Sequence, residues 1–247
     1  MRRIRVGQIV PSSNTTMETE IPELLRAREG IRGERFSFHS SRMRMQHVEK
    51  SQLAAMDAQS LRCAAELADA RMDVMAYACL VAIMATGLGY HCVSEQKLSD
   101  VARQEGGPCP VITSAGALVE AIQAMGAKRV SIMTPYMRPL TDLVVAYIED
   151  QGIEVIDSLA FEIPDNLDVG ARDAMLLLKD VERLNVDGAD LVIGSACVQM
   201  PSLAAIEPLQ DKLGKPVISA AISTVWKMLR SLDLEPVAPG GGKLLSA

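Results

Sequence analysis

Asp73-Val-Met-Ala-Tyr-Ala-Cys79 and Asp190-Leu-Val-Ile-Gly-Ser-Ala-Cys197 are two segments of this chain that follow one pattern. Each begins with an aspartate, continues through a short apolar run, ends in Ala-Cys and is followed by residues that can begin a helix. A continuous apolar run of this length is typical of a strand buried in a parallel sheet. The two segments therefore predict two buried strands, each with a thiol at the point where the strand ends and a helix begins.

Short β-branched runs alternate along the chain with longer stretches of helical apolar spacing. The predicted strands are Ile4–Val10, Val74–Ala78, Val111–Ile112, Val130–Met133, Glu154–Ile156 (the weakest), Leu191–Gly194 and Val217–Ser219. The predicted helices are Ser51–Ala70, Pro139–Asp150, Val169–Leu184, Leu203–Leu213 and Ala220–Leu232. Strands that alternate with helices predict parallel sheets built from βαβ units.

Two further pairs of segments repeat in the same order as the cysteine segments. Arg5–Pro11 (RVGQIVP) resembles Arg129–Pro135 (RVSIMTP), and Pro110–Ala115 (PVITSA) resembles Pro216–Ala221 (PVISAA). Three matches in register predict a duplicated unit. The predicted fold class is therefore α/β, with two pseudo-symmetric lobes that each contain a parallel sheet flanked by helices.

The repeat also predicts how the chain divides between the lobes. We expect residues 1–113 together with 218–247 to form an N-terminal lobe that carries Cys79, and residues 114–217 to form a C-terminal lobe that carries Cys197. Ligands of open parallel sheets bind beyond the carboxyl ends of the strands. We therefore expect the active site in the cleft between the lobes, with one cysteine from each side.

Composition excludes several classes of partner. The chain has 247 residues, of which 49% are hydrophobic and 23% charged, as in ordinary globular proteins. A net charge of −6 and an aromatic content of 3% give no sign of nucleic-acid binding. Without an apolar run long enough to cross a bilayer and without a signal-peptide pattern, we expect a cytoplasmic protein with no membrane partner.

The cysteines and histidines do not form a metal-binding pattern. The chain has five cysteines, an odd number, and no C-x-x-C pair. His39, His47 and His91 are scattered, and the adjacent His91 and Cys92 do not make a site by themselves. We expect no bound metal.

Two thiols at one cleft would differ in protonation. A cysteine at a helix N-terminus is favoured as thiolate by the helix dipole and the free N–H groups. A first charge opposes a second nearby, so the pair titrates as a coupled system with one thiolate and one thiol. Such a pair supplies a base or nucleophile and a proton donor, and residue physics alone leaves open which cysteine takes which role.

Several polar residues follow strands or precede helices. Asn14 lies in a polar segment that either begins a helix, with Thr15 or Thr16 as the cap, or holds a substrate carboxylate through the Asn14 amide. Tyr136 either packs at the surface or lines the cleft. Asn166 fits a turn or cap at least as well as a binding residue. Arg42 and Arg44 could neutralise an acidic substrate, although arginines at such positions are more often solvated.

The motifs together resemble the maleate cis-trans isomerases of the aspartate/glutamate racemase superfamily. The motifs that carry this resemblance span most of the chain and are Val10–Thr15, Ala76–Cys79, Gly87–His91, Thr134–Tyr136, Pro164–Asn166 and Gly194–Cys197. The resemblance implies that Cys79 is the nucleophile and Cys197 the proton donor. It also implies substrate-binding residues that hold two carboxylates through side chains or backbone N–H groups: Asn14, Tyr136, Asn166, Leu80, Val81 and Val198, with Gln199 less certain.

Further implications of the resemblance concern the reaction. It implies conversion of maleate to fumarate through a succinyl-cysteine-type intermediate, with no cofactor, in a homodimer that serves nicotinate breakdown. A racemase that uses the same two cysteines is the main alternative. An arylmalonate-type decarboxylase would need only the second-lobe cysteine, and a carboxylate-binding module without catalysis would leave the paired thiols unexplained.

Overall fold

The computed structural model describes residues 3–45 and 50–246, and within these ranges it contains eight strands and ten α-helices. The strands are β1 (Arg3–Pro11), β2 (Arg35–Met43), β3 (Val74–Tyr77), β4 (Val111–Thr113), β5 (Arg129–Thr134), β6 (Glu154–Ala160), β7 (Leu191–Ser195) and β8 (Val217–Ser219). The helices are α1 (Met17–Glu29), α2 (Lys50–Asp69), α3 (Leu80–Thr86), α4 (Tyr90–Gln104), α5 (Ser114–Ala124), α6 (Arg138–Asp150), α7 (Asn166–Gly170), α8 (Leu177–Asp180), α9 (Leu203–Leu213) and α10 (Ala220–Ser231). Short 3₁₀ turns cover Ala174–Leu176, Val181–Arg183 and Gly242–Leu245.

The strands form two parallel four-stranded sheets with the same topology, which confirms the predicted fold class. The strand orders are β2-β1-β3-β4 and β6-β5-β7-β8. Strands β3 and β7 lie inside their sheets and every residue in them is buried. Burial on both faces explains why both strands are continuous apolar runs without alternation.

The repeated aspartates join equivalent strands in the two sheets. The Asp73 carboxylate accepts a hydrogen bond from the Arg5 N–H at 2.7 Å, and the Asp190 carboxylate accepts one from the Arg129 N–H at 2.9 Å. Each aspartate therefore fastens the start of its strand to the start of the neighbouring strand.

The residues just before the cysteines are also held in equivalent ways. The N–H of Ala78 donates to the Ile9 carbonyl at 2.9 Å, and that of Ala196 donates to the Met133 carbonyl at 3.1 Å. The sequence repeat thus corresponds to the same backbone hydrogen bonds, and these bonds bring the two cysteines to equivalent strand ends.

The predicted secondary structure lacked helices α1, α4 and α5 and strand β2, and it was wrong over one helix. Strand β2 was missed because it is a largely polar edge strand, four of whose nine residues are exposed. The predicted helix Val169–Leu184 is wrong, since the segment breaks into α7, two 3₁₀ turns and α8. The Asp173 carboxylate accepts the Met175 N–H at 2.9 Å, and this local bond begins a new turn where a long helix would have continued.

Helix α10 crosses from the second sheet back to the first. It follows β8 and packs against α1, α5, β3 and β4. Its N-terminus is capped by the Ser219 hydroxyl, which accepts the Ile222 N–H at 3.3 Å. The division of the chain at residues 114 and 218 stays a prediction.

Candidate active site

One cavity at the carboxyl ends of β1, β3, β5 and β7 brings all the predicted site residues together. It is lined by Pro11, Asn14, Met45, Cys79, Leu80, Val81, Tyr136, Asn166, Cys197, Val198 and Gln199. The cavity volume is about 20 Å³, enough for roughly one water molecule.

Cys79 has an unusual backbone conformation at the end of β3. It is the N-cap of α3, with φ 111° and ψ 75°, in the left-handed region that favours glycine. Its side chain is only 8% exposed. Strained residues of this kind concentrate at functional sites, where the surrounding structure holds them in place.

Cys197 lies at the equivalent strand end but in a different local structure. No helix begins directly after Cys197, although the sequence suggested one. A turn follows instead, and α9 begins only at Leu203. Pro201 accounts for the difference, since the residue before a proline is disfavoured in the helical conformation. The turn directs the Gln199 N–H to the Cys197 sulfur at 3.4 Å.

The two thiols are buried together and their pKa values reflect this. The pKa of Cys79 is raised to about 12, chiefly by burial and also by the nearby Cys197 sulfur, while the Ala82 N–H opposes the shift. Burial also raises the pKa of Cys197, but hydrogen bonds from the Tyr136 hydroxyl and the Gln199 N–H oppose the shift. Both thiols are therefore held in the neutral form near neutral pH.

Asn14 contacts both the start of α1 and the cavity. Its Oδ1 atom accepts the Met17 N–H at 3.0 Å, so the side chain does cap the start of α1. This bond fixes the orientation of the amide and leaves the Nδ2 group to donate into the cavity. Asn14 therefore bonds the first turn of α1 and keeps its amide at the cavity.

Tyr136 is buried, and the alternative of surface packing is wrong for this residue. Its hydroxyl donates to the Ala196 carbonyl at 3.1 Å, next to Cys197. Burial, followed by the Cys197 and Cys79 sulfurs, raises the pKa of Tyr136 well above its usual value. The phenol therefore stays neutral and can donate a hydrogen bond at any physiological pH.

Asn166 is the first residue of α7, and its neighbour serves as the cap. The Asp165 carboxylate accepts the Leu167 N–H at 2.7 Å, while the Asn166 side chain donates to the Ser13 hydroxyl at 2.8 Å. The cap interpretation of Asn166 is therefore wrong. Its amide lies at the cavity and links the α7 segment to the loop that carries Asn14.

Backbone N–H groups complete the donor set. Leu80 and Val81 form the first turn of α3, where N–H groups have no acceptor within the helix. Val198 lines the opposite wall, in the turn after Cys197. The Gln199 N–H, which the sequence suggested as a further donor, is already bonded to the Cys197 sulfur.

The basic pair does not line the cavity. Arg42 donates to the backbone carbonyls of Ser12 at 3.0 Å and Asn14 at 3.1 Å, and it also pairs with the Glu18 carboxylate. Arg42 thus holds the loop that presents Asn14. Arg44 is exposed at the surface. Among the described lining residues none carries a formal charge apart from the ionisable thiols.

The histidines serve other purposes or lie outside the described residues. His91 Nδ1 hydrogen-bonds the Tyr147 hydroxyl, which packs α4 against α6, and His39 is exposed at the surface. His47 lies outside the described residues. In the described part of the chain, no cluster of three or more His, Cys, Asp or Glu residues could hold a metal ion. The same ranges contain no helix long and apolar enough to cross a membrane.

Sequence reasoning missed two side chains at the cavity, those of Met45 and Gln199. Met45 follows the overlooked strand β2, and its N–H and carbonyl both bond the Ser12 hydroxyl. Gln199 was considered only for its backbone. For Met45 and Gln199 the sequence showed only that each lies a few residues after a strand end. That position does not tell where the side chain lies.

Comparison with known proteins identifies the family. The arylmalonate decarboxylase family model matches residues 6–245. A curated maleate isomerase from Pseudomonas putida is 60% identical over 242 residues, which is 98% of this chain and 97% of that protein. The chain belongs to this family and to the maleate isomerases.

Solved structures of maleate isomerases resemble the whole molecule. A cysteine-to-alanine variant from Pseudomonas putida, crystallised with maleate, superimposes with a TM-score of 0.98 at 59% identity, covering 99% of this chain and 98% of that chain. A cysteine-to-serine mutant from Nocardia farcinica superimposes with a TM-score of 0.95 at 45% identity, covering 99% and 98%. That mutant carries a covalently bound succinylcysteine intermediate.

Proposed function

We propose that this protein isomerises maleate to fumarate, with Cys79 as nucleophile and Cys197 as proton donor. The observation that carries the proposal is that one cavity contains a cysteine from each of two equivalent strand ends, together with neutral donors. This arrangement suits a small dianion that must be attacked on one carbon and protonated on the next. The family membership supports the same substrate.

The reaction balances with one proton shared by the two thiols. The Cys79 thiolate adds to C2 of maleate while the Cys197 thiol gives its proton to C3, so the double bond becomes a single bond. After rotation about that bond, the Cys197 thiolate removes a proton from C3 and the Cys79 sulfur leaves. The products are fumarate and the starting protonation state of the pair.

The electrostatics add a step before the attack. Burial raises the pKa of both thiols, so both are protonated near neutral pH and one proton must leave the pair before the attack. The reactive form is the one in which Cys79 has lost its proton and Cys197 has kept its own. In that form Cys197 is a thiol, ready to protonate C3, and the N–H of Ala82 faces the Cys79 thiolate.

Neutral donors suit the developing charge. During addition, negative charge builds on one carboxylate as an enolate, and fixed hydrogen-bond donors stabilise such charge in a site with little water. Asn14 and Asn166 donate without carrying a charge of their own, and the Tyr136 hydroxyl can do the same once it turns away from the Ala196 carbonyl. A cationic side chain would lower the nucleophilicity of the thiolate by pairing with it.

Proton NMR of the protein with maleate tests the proposal, because the vinyl signals of maleate and fumarate are distinct. We expect the wild type to convert maleate, and Cys79→Ala and Cys197→Ala each to abolish conversion. Cys92→Ala is the matched control, since Cys92 is an exposed cysteine on α4 away from the cavity. Nearly full activity in either cavity variant would refute the mechanism.

The alternatives are separated by two further incubations. A racemase would exchange the α-proton of L-aspartate in deuterium oxide, but the described lining residues offer no carboxylate for an ammonium group. A decarboxylase, suggested by the name of the family model, would release carbon dioxide from phenylmalonate and would survive Cys79→Ala. A cytoplasmic location, a homodimer and a role in nicotinate breakdown stay predictions of the sequence.

A further inference from the structure

The Gln199 side chain connects three segments that form the cavity. The residue is 2% exposed and lies two positions after Cys197. Its backbone carbonyl accepts the Thr16 hydroxyl at 2.7 Å, in addition to the bond from its N–H to the Cys197 sulfur. Gln199 is therefore in direct contact with both the thiol and the start of α1.

The two ends of the Gln199 amide bind different parts of the site. The Oε1 atom accepts the N–H groups of Thr15 at 2.9 Å and Thr16 at 3.3 Å. The Nε2 atom donates to the carbonyls of Ser13 at 3.1 Å and Asn166 at 2.8 Å. The full donor and acceptor capacity of one amide is thus used within the site.

Gln199 bonds the backbone next to Asn14 and at Asn166, the two residues whose side-chain amides we propose to bind carboxylates. Asn14 lies between Ser13 and Thr15, each of which is bonded to Gln199 through its backbone. Asn166 is bonded to Gln199 through its own carbonyl. A single side chain therefore holds the backbone that carries two proposed binding residues from distant parts of the sequence.

Gly170 leaves the space that this side chain occupies. A Cβ atom at residue 170 would lie 2.4 Å from the Gln199 Nε2 atom and 3.3 Å from the Thr15 hydroxyl. Any larger residue would displace the amide from these bonds. Gly170, the last residue of α7, therefore has no side chain that would clash with the Gln199 amide.

We propose that the Gln199 side chain is a positioning residue for catalysis, which holds the Asn14 and Asn166 amides at the separation that binds the two substrate carboxylates. This inference rests on the proposed function. A misplacement of about 1 Å can cost roughly 100-fold in rate, so we expect loss of the Gln199 amide to lower kcat/KM for maleate by about 10- to 100-fold.

Two substitutions separate hydrogen bonding from charge. Gln199→Glu keeps the shape and the two accepted bonds but loses the two donated ones, and it regains one donor when the carboxyl group is protonated. Burial raises the pKa of such a carboxyl group. The activity of Gln199→Glu relative to wild type should therefore rise as the pH falls. Gln199→Met removes all four bonds without charge and should show a loss that does not depend on pH.

Steady-state kinetics of a control variant show whether the effect belongs to residue 199. Gln123→Glu makes the same change at an exposed position near the end of α5 and should leave kcat/KM unchanged. If Gln199→Met keeps wild-type activity while Gln199→Glu loses it, the effect is one of charge alone and the positioning role is refuted. Far-ultraviolet circular dichroism confirms that each variant is folded.

A second readout does not depend on turnover. The side-chain amide signals of Asn14 and Asn166 in ¹⁵N-labelled protein should shift in Gln199→Glu at pH 8 and move back towards their wild-type positions on acidification. Unchanged signals would overturn the inference even if maleate is converted. Shifted signals in a protein whose wild type does not convert maleate would instead refute the proposed function and leave the positioning role supported.

Discussion

The backbone of Cys79 allows the strain at the proposed nucleophile to be measured. With φ 111°, Cys79 is in a region that glycine adopts freely and other residues adopt at a cost of roughly 1–2 kcal/mol. Cys197, although equivalent in sequence, does not have a positive φ. We therefore expect glycine and alanine to rank differently at the two positions.

The expected magnitude follows from two opposing effects. Glycine in place of alanine at an ordinary position costs about 0.4–1 kcal/mol through the entropy of the unfolded chain. This loss is expected at residue 197. At residue 79 the same loss is offset by about 1–2 kcal/mol of relieved strain, so Cys79→Gly should be as stable as Cys79→Ala or more stable. The entropy effect cancels between the sites, and the strain alone remains.

Urea unfolding of the four variants, Cys79→Gly, Cys79→Ala, Cys197→Gly and Cys197→Ala, measures this difference. The free energy of unfolding should favour glycine over alanine at 79 relative to 197 by about 1–2 kcal/mol. For a chain of this size each kcal/mol corresponds to roughly 2–4 °C in Tm. Equal glycine-for-alanine effects at the two positions would show that Cys79 is not strained.

Three further predictions follow from the thiol and amide geometry. The pKa of Cys79 is about 12 in the folded protein, whereas an unfolded cysteine has a pKa of about 8.5. The contribution of the Cys79 thiol to stability is therefore present below about pH 8.5 and is lost as the pH rises towards 12. Urea unfolding should show that the wild type loses about 1 kcal/mol more per pH unit in this window than Cys79→Ala does, and parallel curves would contradict this. Alkylation of Cys79 by iodoacetamide without substrate, followed by mass spectrometry, should accelerate up to at least pH 10; a plateau near pH 8 would be inconsistent with the raised pKa. Asn14→Asp should keep the cap on Met17 and the wild-type Tm, but raise KM for maleate by 100-fold or more, since it replaces the donor with a negative charge; an unchanged KM would remove Asn14 from the binding site.

The sequence allowed the sheets and the cysteine positions to be predicted because both depend on local patterns. The continuous apolar runs that end in Cys79 and Cys197 reflect burial of β3 and β7 on both faces. Strand β2 depends on its pairing with β1 rather than on its own composition, so its pattern alone did not identify it. The contacts of the Gln199 side chain join residues more than 180 positions apart, and no local pattern could indicate them.

The different roles of the two cysteines arise from the residues that follow them. Up to Cys79 and Cys197 the two sheets have equivalent strands and equivalent backbone hydrogen bonds. The strand ends alone would therefore give the two thiols the same surroundings. After Cys79, the run Leu80–Thr86 has no proline and continues as a helix. After Cys197, Pro201 delays the next helix, and the resulting turn directs an N–H at the sulfur. One proline thus helps to give the Cys197 sulfur an N–H partner, and this bond opposes the rise in the pKa of Cys197. If this is correct, Pro201→Ala should allow helix formation closer to Cys197, weaken the bond to its sulfur and make the alkylation rates of the two cysteines more similar.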